Sequence, residues 1–260
     1  AAAVLAKPDL RTVLWHTFVP TIEFNRQFLS ALVAIVGTTF SPYLYFWQAS
    51  QEVEEKLALG QRRLHQRRGA SNAELRYAAW DVNVGMAASN IVTYFIILAS
   101  ATTLYAAGKH DIKTAEQLAL ALRPFAGDAA TVLMALGLIG TGVLAVPILT
   151  TSAAYAVAEA FRWRRGLDHA PSHAKEFYVV IVLSTLAGME LNFLGISPVD
   201  VLYWTSLIYG FLTPPLLIVI VLIASNQAIM GDRVNRPVIN VIAWIAIFLA
   251  TAAAVAMLLT

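Results

Sequence analysis

Residues 37–43 place groups that can bind a cation in the middle of an apolar segment. The sequence Gly-Thr-Thr-Phe-Ser-Pro-Tyr lies within residues 27–51, which contain no charged residue. Pro42 has no N–H to donate, and its ring clashes with the carbonyl group four residues earlier, at Thr38, so we expect a kink or break near 37–42. A break at mid-membrane exposes backbone carbonyls, which is tolerated where they face protein or water, and secondary transporters build ion and substrate sites this way. The alternative is a proline kink that serves packing only.

Long uncharged segments predict six membrane-spanning helices. A spanning helix needs about 20 mainly apolar residues. The chain is 58% hydrophobic and 13% charged, with a mean hydropathy of +0.66, whereas a soluble domain carries about 25% charged residues. We therefore predict an all-α, polytopic membrane protein with a single membrane domain over residues 1–260 and a broken first span. The spans are expected at about 28–51, 82–108, 129–158, 177–196, 201–226 and 237–260.

Other polar residues within the predicted spans are functional candidates, because such groups are costly in hydrocarbon and need partners. Span five carries Thr205 and Ser206, and its paired proline at 214–215 predicts a bend that can line a path. Glu190 is the only acid well inside a span; it is a candidate proton or cation relay, or a helix-end carboxylate that reaches water. We expect Asp81 to cap the second span.

Several classes of site are excluded by the residues that are missing. The chain has no cysteine, so disulfides and thiolate metal sites are excluded. All five histidines fall outside the predicted spans, which leaves an intramembrane zinc site of histidines unsupported. The spans show no paired His, Asp or Glu of the kind that a membrane-embedded enzyme needs. We predict a protein that is not an enzyme, has no cofactor and binds no nucleic acid.

The distribution of basic residues predicts the orientation. Of the 18 lysines and arginines, 12 lie in the loops that follow spans one, three and five, and the other six lie on the opposite side. Because cytoplasmic loops are enriched in Lys and Arg, these loops are predicted to be cytoplasmic and the C-terminus to lie outside. The expected location is the plasma membrane, as in a bacterial inner membrane. Residues 1–6 are too short for the apolar core of a signal peptide; they look like the tail of a preceding apolar helix, so we expect an N-terminal truncation.

Three segments resemble the NRAMP family of divalent metal transporters. Residues 34–50, which contain the break, resemble the sixth helix of the family. Residues 137–160 resemble its eighth helix, and residues 225–236 resemble the link between its last two helices. The resemblance implies a LeuT-like fold, in which two inverted five-helix repeats surround an ion site made by the broken first and sixth helices. This chain would hold the second repeat plus a final helix, and the missing N-terminal repeat, with its Asp-Pro-Gly-Asn motif, would be a partner supplied in cis or in trans.

The resemblance also implies a function and a set of site residues. The function is transport of a divalent metal cation across the lipid bilayer by alternating access, in the manganese and iron class or the magnesium class. The metal ligands would be the carbonyl of Thr38 and the hydroxyl of Ser41. The substrate path would be lined by Gly37, Thr39, Pro42, Tyr43, Thr205 and Ser206.

One motif departs from the family. Ser41-Pro42-Tyr43 stands where the family has Met-Pro-His, so a hydroxyl replaces a thioether that favours transition metals. A site of hard oxygens suits magnesium, which often keeps several waters, and magnesium-carrying relatives of the family also lack this methionine. The family's proton symport depends largely on the missing half and on the replaced histidine, so the coupling stays open. The alternatives are half of another LeuT-like carrier, such as a sodium-coupled amino acid transporter, and a membrane enzyme or assembly factor.

Overall fold

The computed structural model describes residues 9–19, 21–67, 69–105, 108, 113–114, 117 and 129–260, and in these ranges every regular element is helical. Residues 1–6, which the sequence predicts to end a preceding helix, lie outside them, as do residues 106–107 at the end of the second predicted span. The helices are α1 (Leu10–Phe18), α2 (Arg26–Phe40), α3 (Pro42–Ala58), α4 (Asn72–Ser100), α5 (Ala129–Ala160), α6 (Lys175–Phe193), α7 (Pro198–Ala224), α8 (Gln227–Met230) and α9 (Pro237–Leu259). A π-helical turn, Ala101–Tyr105, continues α4.

Five helical segments of the described chain are long and apolar enough to cross a membrane. They are Arg26–Ala58, Asn72–Ser100, Met134–Ala160, Pro198–Ala224 and Pro237–Leu259. The remaining predicted span, 177–196, also forms a helix, α6, which has 19 residues and carries Lys175, Glu176 and Glu190. Apolar side chains cover the outside of these helices, and α4 buries no residue at all. Such a surface is unfavourable in water and suits a bilayer.

Local capping explains where several helices begin. Ser71 accepts a hydrogen bond from Glu74 N (3.1 Å) and the Glu74 carboxylate accepts one from Ser71 N (2.7 Å), which forms a capping box at the start of α4. The prediction that Asp81 caps this helix is therefore wrong. Asp81 lies inside α4, because the capping box at Ser71 begins the helix ten residues earlier. The helix therefore starts before the apolar segment does.

The described chain divides into two compact units, and each is considered by itself. One contains α1 and α4, which are joined by a hydrogen bond between the hydroxyls of Thr17 and Tyr94 (2.8 Å). The other contains residues 22–69 and 143–260 and holds the break. The division falls within α5, between Gly142 and Val143.

Within the second unit, α2 packs against α7 and α9. Val33 and Ala34 of α2 form a buried apolar cluster with Leu207 of α7 and Ala254 of α9. These side chains leave between 1% and 7% of their surface exposed. The first half of the broken span is therefore held by the helices near the C-terminus.

A second buried cluster in the same unit holds the other half of the span. Tyr155 of α5 and Phe177 of α6 lie at its centre, with ring centroids 4.9 Å apart. Trp47 of α3 packs against this cluster, and its ring lies 6.2 Å from that of Tyr155 in an edge-on arrangement. The two halves of the span thus rest on different buried clusters, although Tyr43 at the start of α3 also lies beside Tyr209 of α7.

Candidate functional site

The break of the first span lies at one residue, Ser41. Helix α2 ends at Phe40 and α3 begins at Pro42, while Ser41 between them has φ 33° and ψ 78°, in the left-handed region. Ser41 N donates to the carbonyl of Gly37 (3.0 Å) and the carbonyl of Ser41 accepts from Leu44 N (3.0 Å). A non-glycine residue in this conformation costs about 1–3 kcal/mol and persists only where its surroundings require it. The predicted break within 37–42 is confirmed, and its position follows from Pro42 at the first position of α3.

Thr38 and Ser41, the two predicted ligands, contact each other. In an unbroken helix the carbonyl of Thr38 would accept from the N–H of residue 42, which a proline does not have. The hydroxyl of Ser41 donates to this carbonyl instead, at 2.5 Å. The Ser41 side chain is buried, with 8% of its surface exposed. The break therefore gathers two neutral oxygens, one from the backbone and one from a side chain.

Two neutral oxygens are fewer than a hard cation needs. Magnesium and calcium take six or more oxygen ligands, often including water. Among the described residues no group of three or more His, Cys, Asp or Glu side chains is placed to hold a metal. A cation at Ser41 would therefore need further oxygens, from water, from other neutral groups or from outside the described residues. The hydroxyl hydrogen of Ser41 would have to turn away from Thr38, so that both oxygens present lone pairs to the ion.

The threonine hydroxyls beside the break are engaged within α2. Thr38 Oγ1 donates to the carbonyls of Ala34 (3.1 Å) and Ile35 (3.0 Å). Thr39 Oγ1 donates to the carbonyl of Ile35 (2.7 Å). Both side chains are exposed on the surface of the described chain. The structure thus brings the carbonyl of Thr38, rather than its hydroxyl, to Ser41.

Gly37 and Gly210 let α2 and α7 approach at the level of the backbone. A Cβ atom placed on Gly37 would overlap the carbonyl oxygen of Ser206 and the amide nitrogen of Gly210. A Cβ atom placed on Gly210 would likewise overlap the carbonyl oxygen of Val33. Both glycines are buried. The predicted path residues Gly37 and Ser206 are therefore brought together, one turn before Ser41.

The hydroxyls of Thr205 and Ser206 are bonded to their own helix. Thr205 Oγ1 donates to the carbonyl of Val201 (2.8 Å), and Ser206 Oγ donates to the carbonyl of Leu202 (2.6 Å). They form no hydrogen bond to the break in the described structure. What α7 presents to residues 37–43 is its backbone at Ser206 and an aromatic side chain.

That aromatic side chain, Tyr209, was not predicted from the sequence. Its ring lies 5.9 Å from the ring of Tyr43, the second residue of α3, at an angle of 45°. Tyr209 lies three residues after Ser206, so the two residues share a face of α7. This spacing was the signal in the sequence that could have identified Tyr209. Tyr43 and Tyr209 place two half-buried phenol rings beside the break.

Glu190 lies apart from these contacts. It is exposed, near the end of α6, and its carbonyl accepts from Leu194 N (3.1 Å). Its carboxylate forms no hydrogen bond or ion pair with the break in the part of the chain that the structure describes. The structure therefore does not join the predicted relay residue to Thr38 and Ser41.

These features define a polytopic, all-helical membrane protein with a candidate ion site at a broken span. The sequence model of the Nramp family, described as natural resistance-associated macrophage protein-like, matches residues 1–260. The chain therefore belongs to the Nramp family, and the resemblance found in the sequence is confirmed. This is a family of transporters rather than enzymes.

Two curated relatives carry the name divalent metal cation transporter MntH. The protein from Caldanaerobacter subterraneus subsp. tengcongensis is 25% identical over 233 residues, which cover 90% of this chain and 51% of the relative. The protein from Klebsiella pneumoniae subsp. pneumoniae is 24% identical over 250 residues, which cover 93% of this chain and 53% of the relative. The chain thus spans about half the length of the relatives that it matches.

Proposed function

We propose that this protein carries a divalent metal cation across the membrane and that the cation binds at the break between α2 and α3. The observation that carries the proposal is the pairing of the Thr38 carbonyl with the Ser41 hydroxyl at a buried, left-handed residue in the middle of a spanning segment. A broken helix of this kind places carbonyls that lack a backbone N–H partner where an ion can reach them. Family membership and the names of the two relatives support the same function.

The chemistry of the break favours magnesium within the divalent cations. Ser41 and Tyr43 supply oxygen where the family motif has methionine sulfur and histidine nitrogen. Magnesium selects hard oxygen ligands and gives up its waters reluctantly. Thioether and imidazole ligands are softer and suit transition metals. Two neutral oxygens and retained waters would supply part of such a site.

The remaining ligands would come from outside this chain's described residues. In a LeuT-like arrangement the first broken helix of the preceding repeat faces the helix that contains Ser41. We propose that this repeat is supplied in cis or in trans, and that access alternates as one bundle rocks against the other. The orientation with the C-terminus outside, inferred from the basic loops, belongs to the same proposal.

The test measures uptake by the complete protein in proteoliposomes, with Mg²⁺ and Mn²⁺ supplied separately. Ser41→Ala removes one ligand, and we expect the KM for Mg²⁺ to rise at least tenfold. Ser152→Ala is the matched control, because Ser152 is also buried, with 2% exposed, and bonds only the carbonyl of Ile148 in its own helix (2.6 Å). Ser41→Met restores the family's thioether and should shift the preference from Mg²⁺ towards Mn²⁺.

The outcome that contradicts the site is equally direct. If Ser41→Ala and Ser152→Ala show the same KM as the parent protein, Ser41 is not a ligand and the break serves packing. If the parent carries neither ion, the proposed function itself is wrong.

A further inference from the structure

Helix α3 is tied to α5 by a polar contact thirteen residues beyond the break. The hydroxyl of Tyr155 in α5 donates to the Oε1 atom of Glu54 in α3 (2.5 Å). Tyr155 is 1% exposed and sits in the cluster with Phe177, while Glu54 is half-buried. A hydrogen bond to a carboxylate is about twice as strong as one between neutral groups, and more so away from water.

The second carboxylate oxygen of Glu54 holds the loop that follows α5. Glu54 Oε2 accepts from Leu167 N (3.2 Å). The neighbouring Gly166 has φ 133°, and a Cβ atom there would lie 3.0 Å from Glu54 Oε1 and would overlap the carboxylate of Asp168. The absence of a side chain at this position lets the loop reach the carboxylate. A third group, Gln51 Nε2, donates to the hydroxyl of Tyr155 (3.2 Å).

The two halves of the broken span are therefore held in different ways. Helix α2 packs against α7 through the backbone contact at Gly37 and Gly210. Helix α3 is held to α5 by Trp47 and by the Glu54–Tyr155 contact. Since α3 begins at Pro42, a rigid helix transmits any movement of Glu54 to the break about 18 Å away, at 1.5 Å per residue.

We propose that Glu54 and Tyr155 are positioning residues, which fix α3 against α5 and thereby set the geometry of the cation-binding break. The effect of these two residues on transport rests on the proposed function. Neither residue touches the ion, and both act through the position of Pro42 and Ser41. When the hydrogen bond between them is removed, α3 gains a second position relative to α5.

The experiment measures the distance between spin labels at Ala58, at the exposed end of α3, and Ala160, at the exposed end of α5, in the complete protein in liposomes. We expect one main distance in the parent protein. In Tyr155→Phe a second, longer distance should appear, with the ratio of the two populations shifted about tenfold, which corresponds to about 1.4 kcal/mol. Glu54→Gln should give a shift in the same direction, because Glu54 accepts from Tyr155 and Leu167 N at two separate oxygen atoms and glutamine carries a donor nitrogen at one of these positions.

Matched controls separate this role from general destabilisation. Tyr178→Phe removes the same hydroxyl from the same cluster, but that hydroxyl donates to the carbonyl of His169 (2.9 Å) and not to α3. Glu52→Gln makes the same change at an exposed carboxylate of α3 whose partner is Lys56 (3.7 Å). Neither control should change the distances, and Tyr155→Phe with Glu54→Gln together should shift them no more than the larger single effect.

Unchanged distances in both Tyr155→Phe and Glu54→Gln would overturn the inference, as would equal shifts in Tyr178→Phe. Uptake is measured on the same preparations. The positioning role predicts an altered maximal rate per protein in Tyr155→Phe and Glu54→Gln, and an unchanged rate and KM in the Glu52→Gln and Tyr178→Phe controls. If the parent protein carries no divalent cation, the proposed function fails, while the distances still decide whether the contact positions α3.

Discussion

The close approach of α2 and α7 gives a sharp test of the site, through Gly37→Ala. The added Cβ atom would lie 3.0 Å from Gly210 Cα and closer still to the carbonyl oxygen of Ser206 and the amide nitrogen of Gly210. All three are backbone atoms, so no side chain can rotate away to make room. Because carbon atoms pack best about 3.5–4.0 Å apart, the two helices would have to separate by about 1 Å.

The expected cost follows from the size of that separation. Extra methyl groups in a well-packed interior destabilise by about 1–3 kcal/mol, and we expect the upper end because the obstructing atoms belong to two helices. The separation would also widen the cluster of Val33, Leu207 and Ala254. Since Ser41 lies one turn after Gly37, uptake by the folded fraction should fall as well as stability.

The assay is thermal unfolding of the purified protein in detergent, together with uptake in liposomes. Gly188→Ala is the control, because a Cβ atom at Gly188 in α6 meets nothing within 4 Å. Alanine there should be neutral or slightly stabilising, since alanine favours a helix over glycine by about 1 kcal/mol. If Gly37→Ala unfolds at the same temperature as Gly188→Ala, α2 and α7 do not approach closely at Gly37.

Two further predictions concern side chains around the site. Tyr203→Phe removes the hydrogen bond from the Tyr203 hydroxyl to Ser30 Oγ (2.7 Å), which links α7 to α2. Ser30 keeps its hydrogen bond to the carbonyl of Gln27 (3.0 Å). Thermal unfolding should therefore show a loss of stability of about 1 kcal/mol and no more. Glu190→Gln should leave uptake and its pH dependence unchanged, because the carboxylate is exposed and does not contact the break in the described structure; a large loss of uptake would instead support its role as a relay.

The break could be predicted from the sequence because its cause is local. Pro42 removes one donor and obstructs one carbonyl within its own turn of helix, and this argument needs no knowledge of the neighbouring helices. The start of α4 was equally local, and the Ser71 and Glu74 pair was a readable capping box. The error at Asp81 came from taking the beginning of the apolar segment as the beginning of the helix, although a helix can extend beyond the membrane.

The partners of the break could not be predicted, because they depend on which helices meet. Gly37, Gly188 and Gly210 look alike in the sequence, yet a Cβ atom would overlap backbone at the first and last and meet nothing at Gly188. The contact between Glu54 and Tyr155 joins residues 101 apart in the chain. No helical periodicity reports a pairing of this kind, since periodicity identifies a face of one helix and not the residue opposite it.

The two halves of the broken span differ in the kind of force that holds them, and this difference predicts which half moves. The backbone of α2 is interlocked with α7 at Gly37 and Gly210, so sliding would bring side chains into the space that the glycines leave open. Helix α3 has ring contacts at Tyr43 and Trp47, and in addition directional hydrogen bonds at Glu54. These hydrogen bonds can break together and be replaced by water at a half-buried carboxylate. Packed interiors resist continuous deformation, whereas discrete polar contacts allow two states. We therefore expect α3 to turn about Ser41 while α2 stays with α7.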